Sequence, residues 1–419
     1  NEQILFNQMR ETIEDTYKKF GFLPLDTPVI ELSEVLLAKA GGETEKQIYR
    51  FNKGDKDLSL RFDLTVPLSK YVAKNYGNLS FPFRRYQIGK VYRGERTQKG
   101  RFREFYQCDI DVIGDGELDL INDAELPSVI YTIFKNLGFN NFTIRVNNRK
   151  ILNGLFEEIG QKEKSVEVLR IIDKIDKIGK EAVIEELEKI EVSKDSIKKI
   201  IDFIEIEGTS EEKIEKLKKL EIKNETFITG VNELEFVIKN MGTFGIPKEN
   251  YKVDLTIARG LDYYTGTVYE TFLNEYRELG SVCSGGRYEN LAEYYTDKKL
   301  PGVGVSIGLT RLFYKLNELN LIKAKKKSIS DVLIIPMIED LTVPIEIASE
   351  LRKSDIKTEI YLNNKKLKAK FKYADKLEIP YVVVIGEDEI EENKYKLKDM
   401  KTGNEQLVDI SQMIRILKQ

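Results

Sequence analysis

Two strand-like runs joined by an arginine-rich loop constrain the fold of this chain more than any other segment. Residues 86–92 (YQIGKVY) and 105–113 (FYQCDIDVI) alternate apolar and polar residues and are rich in aromatic and β-branched side chains, a pattern typical of strands. The segment between them, about Glu95 to Arg103, is basic and includes Gly100. The sequence therefore predicts a β-hairpin with a flexible, cationic loop.

The arginines of this hairpin indicate an anionic ligand. Arg93 and Arg101 lie between aromatic and apolar residues, where an unpaired cation would be costly to bury. A guanidinium offers paired donors to phosphate oxygens, and the ring of Phe105 offers a face to a nucleobase. We interpret the hairpin as a triphosphate-binding element, whereas Lys99 and Arg103, taken singly, are better explained as solvated charges.

A second segment, Arg259 to Gly266 (RGLDYYTG), places a permanent cation beside two tyrosines and between glycines. The arginine suits a carboxylate or a phosphate, and the tyrosines supply apolar walls with polar tips. Taken alone, the segment could equally be a glycine-flanked strand end with aromatic packing.

Several blocks together resemble the class II aminoacyl-tRNA synthetases, and among them the histidyl-tRNA synthetase family. They follow the family's order over nearly the whole chain. Residues 92–95 (YRGE) with 101–105 (RFREF) are similar to the second class motif, and residues 302–312 (GVGVSIGLTRL) are similar to the third. Residues 259–264 (RGLDYY) and 284–288 (SGGRY) are similar to the two signatures of the histidine enzymes. The resemblance implies an α+β catalytic domain with a central antiparallel sheet, a helical insertion, and a C-terminal α/β domain with a mainly parallel sheet.

The resemblance also implies a reaction: ATP-dependent activation of histidine to histidyl-adenylate, then transfer to the 3′ end of tRNA(His). The amino-acid carboxylate is already ionised and needs no general base. The obstacle is repulsion between two anions, which fixed cations aimed at the developing charge can relieve. ATP is expected to arrive with Mg²⁺, which would share that task.

Site residues follow from the resemblance. For ATP it implies Arg93 on the α-phosphate, Glu95 on the adenine amino group, Arg101 and Arg311 on the distal phosphates, and Phe105 stacked on adenine. For histidine it implies Asp63, Thr65 and Gln107 on the α-amino group, Asp111 and Tyr264 on the imidazole, Tyr263 and Tyr288 lining the pocket, and Arg259 bridging the carboxylate and the α-phosphate as the main catalytic group. For tRNA it implies Arg96, Gln98 and Lys99 near the acceptor end, and Lys366 and Lys370 on an RNA-facing helix.

The chain contains no histidine among its 419 residues, which excludes histidine bases, histidine metal ligands and Ser-His-Asp triads. Two explanations stay open: selection for synthesis during histidine shortage, or drift in a genome that favours Lys and Ile codons. The two cysteines, Cys108 and Cys283, lack CxxC spacing, which argues against a zinc site or a disulfide framework and fits a reducing cytoplasm.

The global charge and hydropathy set further limits. With a net charge of −3, contact with a nucleic acid must depend on local basic patches. The sequence contains no stretch as long and apolar as a membrane span, and we expect no secretory leader.

The pattern along the chain predicts its domains. We expect a catalytic domain at residues 1–160 and 227–322, interrupted by a helical insertion at 161–226, a basic linker at 323–329, and an anticodon-binding α/β domain at 330–419. A helix is expected at about residues 4–20, and strand-like patterns return from Phe227. In the last domain, strands are expected at 331–337, 357–362 and 381–386, with helices near 345–354 and 366–377. The insertion could be a coiled-coil partner site, but a self-packed lobe is the simpler interpretation.

The resemblance further implies a homodimer through the strand region near Thr27 to Glu31. Two alternatives to an enzyme stay open. One is a non-charging paralogue, the regulatory subunit of ATP phosphoribosyltransferase, which shares the catalytic-like core, and the other is a synthetase-like domain that senses uncharged tRNA. The complete arginine set and the presence of a C-terminal α/β domain favour the enzyme over both.

Overall fold

A computed structural model describes residues 2–37, 45–95, 100–172, 174–257, 263–289, 291–322 and 327–418. The chain divides into two compact units, Arg10–Leu319 and Asn320–Gln419 together with Asn1–Met9. No helix within the described ranges has the length and apolar character needed to cross a membrane.

The predicted N-terminal helix is α1 (Glu2–Lys19), which ends where Gly21 adopts a φ of 76° and its N–H bonds back to the carbonyl of Lys18 at 3.0 Å. The helices that follow in the larger unit are α2 (Ser33–Leu37), α3 (Thr65–Asn75), α4 (Ile121–Asn136), α5 (Arg149–Glu158), α6 (Ser165–Ile172), α7 (Ile175–Ile178), α8 (Lys180–Lys189), α9 (Lys194–Ile204), α10 (Ser210–Lys219), α11 (Glu225–Thr243) and α12 (Leu309–Glu318).

The larger unit is built on two sheets. Its strands are β1 (Leu23–Pro24), β2 (Ile30–Leu32), β3 (Arg50–Lys53), β4 (Lys56–Leu60), β5 (Phe83–Tyr92), β6 (Glu104–Ile113), β7 (Phe142–Asn148), β8 (Tyr251–Val253), β9 (Thr267–Leu273), β10 (Cys283–Tyr288) and β11 (Gly302–Gly308). Among the described residues, eight strands form one sheet in the order β1-β5-β6-β11-β10-β9-β7-β8, and β2-β4-β3 form a second. All neighbours in the large sheet are antiparallel except β1 with β5 and β7 with β8, so the expected central antiparallel sheet is confirmed.

The predicted hairpin is confirmed as β5 paired with β6, from Phe83 opposite Ile113 to Tyr92 opposite Glu104. Because side chains alternate between the faces of a strand, one face of β6 is apolar and the other is polar. On the apolar face, Ile110 is buried, and the Tyr17 hydroxyl of α1 donates to the Cys108 carbonyl at 2.9 Å. The opposite face carries the polar side chains of Gln107, Asp109 and Asp111.

The segment predicted as an insertion forms short helices, α6 to α10. Helices α6, α7 and α9 each contact α8, whereas α10 packs on α11. Leu187, Ile200 and Leu217 are each fully buried, which favours the self-packed lobe over a coiled-coil surface.

One expectation for the next segment is wrong. Residues from Phe227 do not return to strand but lie in α11, and the next strand begins only at Tyr251. Buried residues of α11 recur at helical spacing, as Phe227, Val231, Leu234, Ile238 and Met241. Small residues allow the helix to pack closely on α5, because a Cβ on Gly230 would lie 2.7 Å from the backbone nitrogen of Ile151.

The smaller unit is an α/β fold with a mixed sheet. Its elements are β12 (Val332–Pro336), α13 (Thr342–Lys353), β13 (Thr358–Ile360), α14 (Leu367–Leu377), β14 (Tyr381–Ile385), α15 (Glu387–Glu391), β15 (Tyr395–Asp399), β16 (Glu405–Val408) and α16 (Ile410–Leu417). The predicted strands β12, β13 and β14 are parallel. Two strands that were not predicted, β15 and β16, extend the sheet in antiparallel fashion.

Candidate active site

A cavity of about 350 Å³ lies on the polar face of β6 and β11 in the larger unit. The structure brings most of the predicted site residues to its lining. They are Asp63, Thr65, Arg93, Glu95, Arg101, Phe105, Gln107, Tyr263, Tyr264 and Arg311.

Small residues on β11 open this cavity. Every second position of the strand is glycine or serine, and these positions face Ile113, Asp111, Asp109 and Gln107 of β6 in register. A Cβ on Gly304 would lie 2.1 Å from Oδ1 of Asp111. Gly302 and Gly304 therefore make room for the side chains of Tyr288 and Asp111, whereas Ser306 and Gly308 line the cavity itself.

Cations converge at one end of the cavity. The Arg93 guanidinium lies 5.3 Å from the centroid of the Phe105 ring, and its Nε donates to the Phe62 carbonyl at 3.0 Å. Arg101 forms an ion pair with Glu95 at 3.5 Å. Arg311 donates to the Leu279 carbonyl at 2.7 Å.

The two outer guanidinium groups influence one another. Partial burial and then the charge of Arg101 lower the pKa of Arg311. Arg101, from the β5–β6 hairpin, and Arg311, from α12, both line the cavity. A phosphate chain placed there would relieve their repulsion.

Carboxylates occupy the other end. Asp63, which is 2% exposed, accepts a hydrogen bond at Oδ1 from the Val66 N–H at 3.1 Å, while its Oδ2 has no partner. Burial raises the pKa of Asp63 to about 6. The neighbouring Gln107 donates from Nε2 to the Ser306 hydroxyl at 2.9 Å and leaves its own Oε1 without a partner. These atoms are acceptors that await a donor, such as an ammonium group.

Asp111 and Tyr288 lie beneath the cavity and are not part of its lining. The Tyr288 hydroxyl donates to Oδ1 of Asp111 at 2.9 Å, and Arg85 pairs with Oδ2 at 2.7 Å. Arg85 is fully buried and supplies a permanent cation inside the sheet. The predicted contact of Asp111 with an imidazole stays a prediction, because both of its oxygens are engaged here.

An aromatic group closes one side. The rings of Tyr263 and Tyr264 meet edge to face with centroids 4.9 Å apart, and Tyr263 meets Tyr288 in the same way at 6.0 Å. Burial raises the pKa of both Tyr263 and Tyr264 above the ordinary value. These hydroxyls are therefore neutral hydrogen-bonding groups at physiological pH.

The lining residues that the sequence analysis missed include the polar side chains of Asp109, Ser306 and Lys315. The alternation of β6 is the signal that would have found Asp109, since Gln107 and Asp111 were both assigned and the residue between them in the same face is Asp109. Lys315 lies one helical turn after Arg311 on α12, where helical spacing places both on one face.

The other predicted site residues are not part of the described lining of the cavity. Arg259, Arg96, Gln98 and Lys99 are outside the described residues. Lys366 is exposed at the start of α14. Lys370 is buried on the core side of α14, and its Nζ donates to the Pro336 carbonyl at 2.6 Å. The prediction that Lys370 faces RNA does not fit this position.

The described part of the chain contains no group of three or more cysteine or carboxylate side chains arranged to hold a metal ion. Both cysteines are buried and unpaired.

Comparison with known proteins agrees with the motifs. The profile of a family described as Histidyl-tRNA synthetase matches residues 2–312, and a second described as Anticodon binding domain matches 331–419. The chain is 59% identical over 418 residues to a histidine–tRNA ligase of Clostridium tetani, covering 100% of this chain and 95% of that one.

Of two solved structures that this chain resembles, one is similar in both sequence and fold and the other in fold alone. A histidyl-tRNA synthetase from Nostoc sp. PCC 7120 superposes with a TM-score of 0.90 at 38% identity, covering 100% of this chain and 96% of the other. A protein from Bacillus halodurans, described as an ATP phosphoribosyltransferase regulatory subunit/histidyl-tRNA synthetase, superposes with a TM-score of 0.74 at 20% identity over 88% and 91% of the two chains. The second likeness concerns the fold alone. On the motifs, the profile match and the identity over its full length, this chain belongs to the histidyl-tRNA synthetase family.

Proposed function

We propose that this chain ligates histidine to tRNA(His) at the cavity over β6 and β11, first forming histidyl-adenylate from histidine and ATP and then passing the histidyl group to the 3′ end of the tRNA. The observation that carries the proposal is the polarity of this single cavity: guanidinium groups converge at one end, and unpartnered buried acceptors lie at the other. A nucleotide anion and an amino-acid cation fit those two ends.

The nucleotide end has the groups needed to hold ATP. Phe105 offers its ring to adenine and Glu95 its carboxylate to the adenine amino group. Arg93 is held by the Phe62 carbonyl in a position to meet the α-phosphate. Arg101 and Arg311 would contact the distal phosphates, and the pair between Arg101 and Glu95 would open as ATP enters. ATP is taken as its Mg²⁺ complex, which reduces the charge on the phosphates.

The amino-acid end holds the nucleophile. Asp63, Thr65 and Gln107 would meet the α-ammonium, which leaves the carboxylate directed at the α-phosphate. Arg259 would lie between these two anions, as the resemblance implies. Attack by a carboxylate oxygen on the α-phosphorus releases pyrophosphate, and the arginines stabilise the charge that develops in that step. No side chain needs to accept a proton from histidine's carboxylate, so a chain without histidine loses nothing here.

Histidine-dependent exchange of pyrophosphate into ATP tests the first step. We expect exchange with histidine and background rates with the other amino acids. Binding of histidine without exchange, by full-length protein with intact folding, would contradict the proposal and favour the non-charging paralogue. Arg259→Ala is expected to retain measurable histidine binding but lose most of the exchange activity.

The second step requires an RNA surface, for which the exposed lysines of α14 are candidates. Lys366, Lys368 and Lys372 are exposed, and a cluster of cations on one helix can contact successive phosphates. Replacing the three lysines with glutamate should lower the rate of tRNA charging at least about ten-fold and leave exchange unchanged. Lys394→Glu, an exposed charge reversal in the same unit, is the matched control. Equal charging by the triple variant and the control would remove α14 from the RNA surface.

The chain is also proposed to act as a homodimer in the cytoplasm, where its substrates occur. The small sheet supports this, because one of its faces is apolar and open. Ile30 and Phe51 are 51% and 39% exposed, and Leu32, Leu58 and Leu60 share their face. An open apolar sheet face of this kind usually marks an interface.

A further inference from the structure

We propose that Lys315 is a further phosphate-binding residue of the cavity, and that its ammonium group contacts the β- and γ-phosphates of ATP and the pyrophosphate that they become. This inference rests on the proposed function and deepens it, because it concerns the nucleotide end of the same cavity. The resemblance assigns Arg101 and Arg311 to these phosphates, whereas Lys315 lies outside the motifs.

Lys315 belongs to the wall of the cavity. It lies on α12, one helical turn after Arg311, and both residues line the cavity. Leu309, Leu312 and Leu316 form the buried side of the same helix and fix its rotation about its own axis. Helix α12 therefore presents two cations, one turn apart, to the cavity.

The stem of Lys315 lies against the base of the loop that carries Arg101. A Cβ on Gly100 would lie 2.9 Å from Cε of Lys315 and 3.7 Å from its Cδ and Cγ. Gly100 is buried and has a φ of 77°, so a glycine lets the loop turn close to the lysine stem. The rings of Phe102 and Tyr314, with centroids 5.4 Å apart, join the same two elements. Because Nζ is one bond beyond Cε, the ammonium of Lys315 lies at the base of this loop.

The ammonium of Lys315 also pairs with a neighbour on its own helix. Nζ lies 3.0 Å from a carboxylate oxygen of Glu318, and the two side chains are 20% and 33% exposed. An ion pair between partly exposed side chains on one helix is weak, and an ammonium has three N–H donors. Lys315 can therefore keep its contact with Glu318 and still donate to a phosphate oxygen.

The first step of the reaction needs positive charge where the leaving group forms. When a carboxylate oxygen of histidine attacks the α-phosphorus, the bond from that phosphorus to the oxygen bridging the β-phosphate breaks. The electron pair of that bond stays on the bridging oxygen, which leaves as part of pyrophosphate. A cation beside the distal phosphates stabilises this charge. Arg101 is paired with Glu95 in the empty cavity, so Lys315 supplies a charge that does not depend on opening that pair.

Binding of ATP and of AMP to the full-length protein, measured by isothermal titration with Mg²⁺ and without histidine, tests this assignment. AMP keeps the adenine, the ribose and the α-phosphate but lacks the distal phosphates. Lys315→Met removes the charge and keeps an apolar stem. The Kd of ATP should rise at least about ten-fold, as expected for the loss of a hydrogen bond between charged groups, and that of AMP by less than about two-fold.

Histidine-dependent pyrophosphate exchange supplies a second measurement. Lys315→Met should raise the KM values of ATP and pyrophosphate and leave the KM of histidine within about two-fold of wild type. Lys315→Arg, which keeps a cation, should recover most of the loss. A purely structural role would not give this separation between substrates.

Two comparison variants separate the charge of Lys315 from its packing. Glu318→Gln removes the ion pair and keeps the ammonium, so the Kd of ATP should stay within about two-fold of wild type. Arg93→Ala, which removes the cation assigned to the α-phosphate, should weaken ATP and AMP alike. Lys315→Gln is titrated with the same expectations if Lys315→Met folds poorly.

Three results would overturn the proposal: equal weakening of ATP and AMP in Lys315→Met, unchanged binding of ATP in that variant, or an equal loss in Glu318→Gln. The last result would show that the ion pair matters through the structure of α12. Failure of the wild-type protein to bind ATP would instead contradict the proposed function.

Discussion

Individual side chains in the cavity differ in whether their charge is fixed. Guanidinium groups in general stay positive at physiological pH, so the arginine-lined phosphate end of the cavity keeps a constant charge. The buried carboxylates Asp63 and Asp109 have pKa values raised by burial to about 6 and about 7, so the amino-acid end responds to its occupant. A bound ammonium group favours the ionised carboxylates and draws protons from them.

Arg93 gives the first prediction. Its side chain is fixed by Phe62 and lies against Phe105, so Arg93→Ala should remove a charge aimed at the reacting phosphate and lower the exchange rate by about 100-fold or more. Arg103, on the same hairpin, is exposed and is not part of the cavity lining. Exchange assays should find Arg103→Ala within about two-fold of wild type. Comparable losses in both variants would show that the hairpin needs its overall charge and not a particular cation.

The raised pKa of Asp109 gives a second prediction, on stability. Unfolded aspartate titrates near 3.9, so between about pH 4 and pH 7 the folded chain holds a proton that the unfolded chain releases. The corresponding stability is present below about pH 4 and is lost as the pH rises through 7. Asp109→Asn cannot ionise, so its melting temperature should exceed that of wild type by more at pH 8 than at pH 4.5.

The groups around Asp109 limit this prediction to the empty cavity. Arg85, Ser306, Asp111 and Asp63 all act on its titration, and added histidine would supply a further donor. Thermal melts should therefore be recorded without ligand. Asp340→Asn, in an exposed turn where Thr342 lowers the carboxyl pKa, should show no gain at pH 8. The same difference at both pH values in Asp109→Asn would contradict a raised pKa.

Among the elements, β11 sets the room available to Asp111 beneath the cavity. Gly304→Ala would place a Cβ 2.1 Å from Oδ1 of Asp111 and 2.8 Å from the Ile110 carbonyl, so the carboxylate or the strand must move. A displacement of about 1 Å at a site of this kind lowers activity on the order of 100-fold. We expect that loss in exchange, with a raised KM for histidine and a smaller change for ATP. Gly77→Ala, where nothing lies within 4 Å of the added Cβ, should behave as wild type, and similar behaviour of Gly304→Ala would refute the steric argument.

The elements also show what the sequence could and could not predict. The β5–β6 hairpin was predictable because one face of each strand is buried, which enforces alternation. The end of the sheet in the smaller unit was missed because half-buried lysines interrupt the buried residues of β15, and β16 buries only Val408. This pattern is weak beside the apolar runs of β12 and β14. In α11 the helical spacing was present, but its β-branched and aromatic residues were taken for strand.

The residues of the candidate site also differ in whether the sequence could predict them. Motifs identified the residues on the hairpin and on α12, because each motif is contiguous in sequence. The role of Arg85 and the unpartnered Oδ1 of Asp109 depend on register between β5, β6 and β11, which no local pattern contains. The position of Lys370 depends on which side of α14 meets the sheet, and its buried neighbour Ala374 one turn later indicates the core side.

At the scale of the whole molecule, the open face of the small sheet predicts self-association. In a dimer with two-fold symmetry, the patch on one protomer would contact the same patch on its partner. A substitution near the centre of the patch would therefore alter the interface at two symmetry-related positions. If this face is the interface, the native chain should sediment as a dimer, and Ile30→Asp combined with Phe51→Asp should sediment as a monomer. Leu407→Asp, which alters an exposed apolar residue (53% exposed) of the smaller unit, is the control. A dimer that survives the double substitution would place the interface elsewhere.

The absence of histidine is a property of the entire chain and leads to the last prediction. If the enzyme that makes histidyl-tRNA itself contains histidine, a shortage of histidyl-tRNA limits its own synthesis. The reason is that ribosomes translating its messenger RNA stall at the histidine codons. A chain with none escapes that dependence, so its synthesis should continue while histidine-containing proteins decline. Pulse labelling during histidine starvation of the producing cell measures this, with an introduced variant that carries surface histidines, such as Lys394→His together with Lys353→His, as the matched comparison. If the native chain and the variant decline at the same rate, the composition reflects drift and has no regulatory consequence.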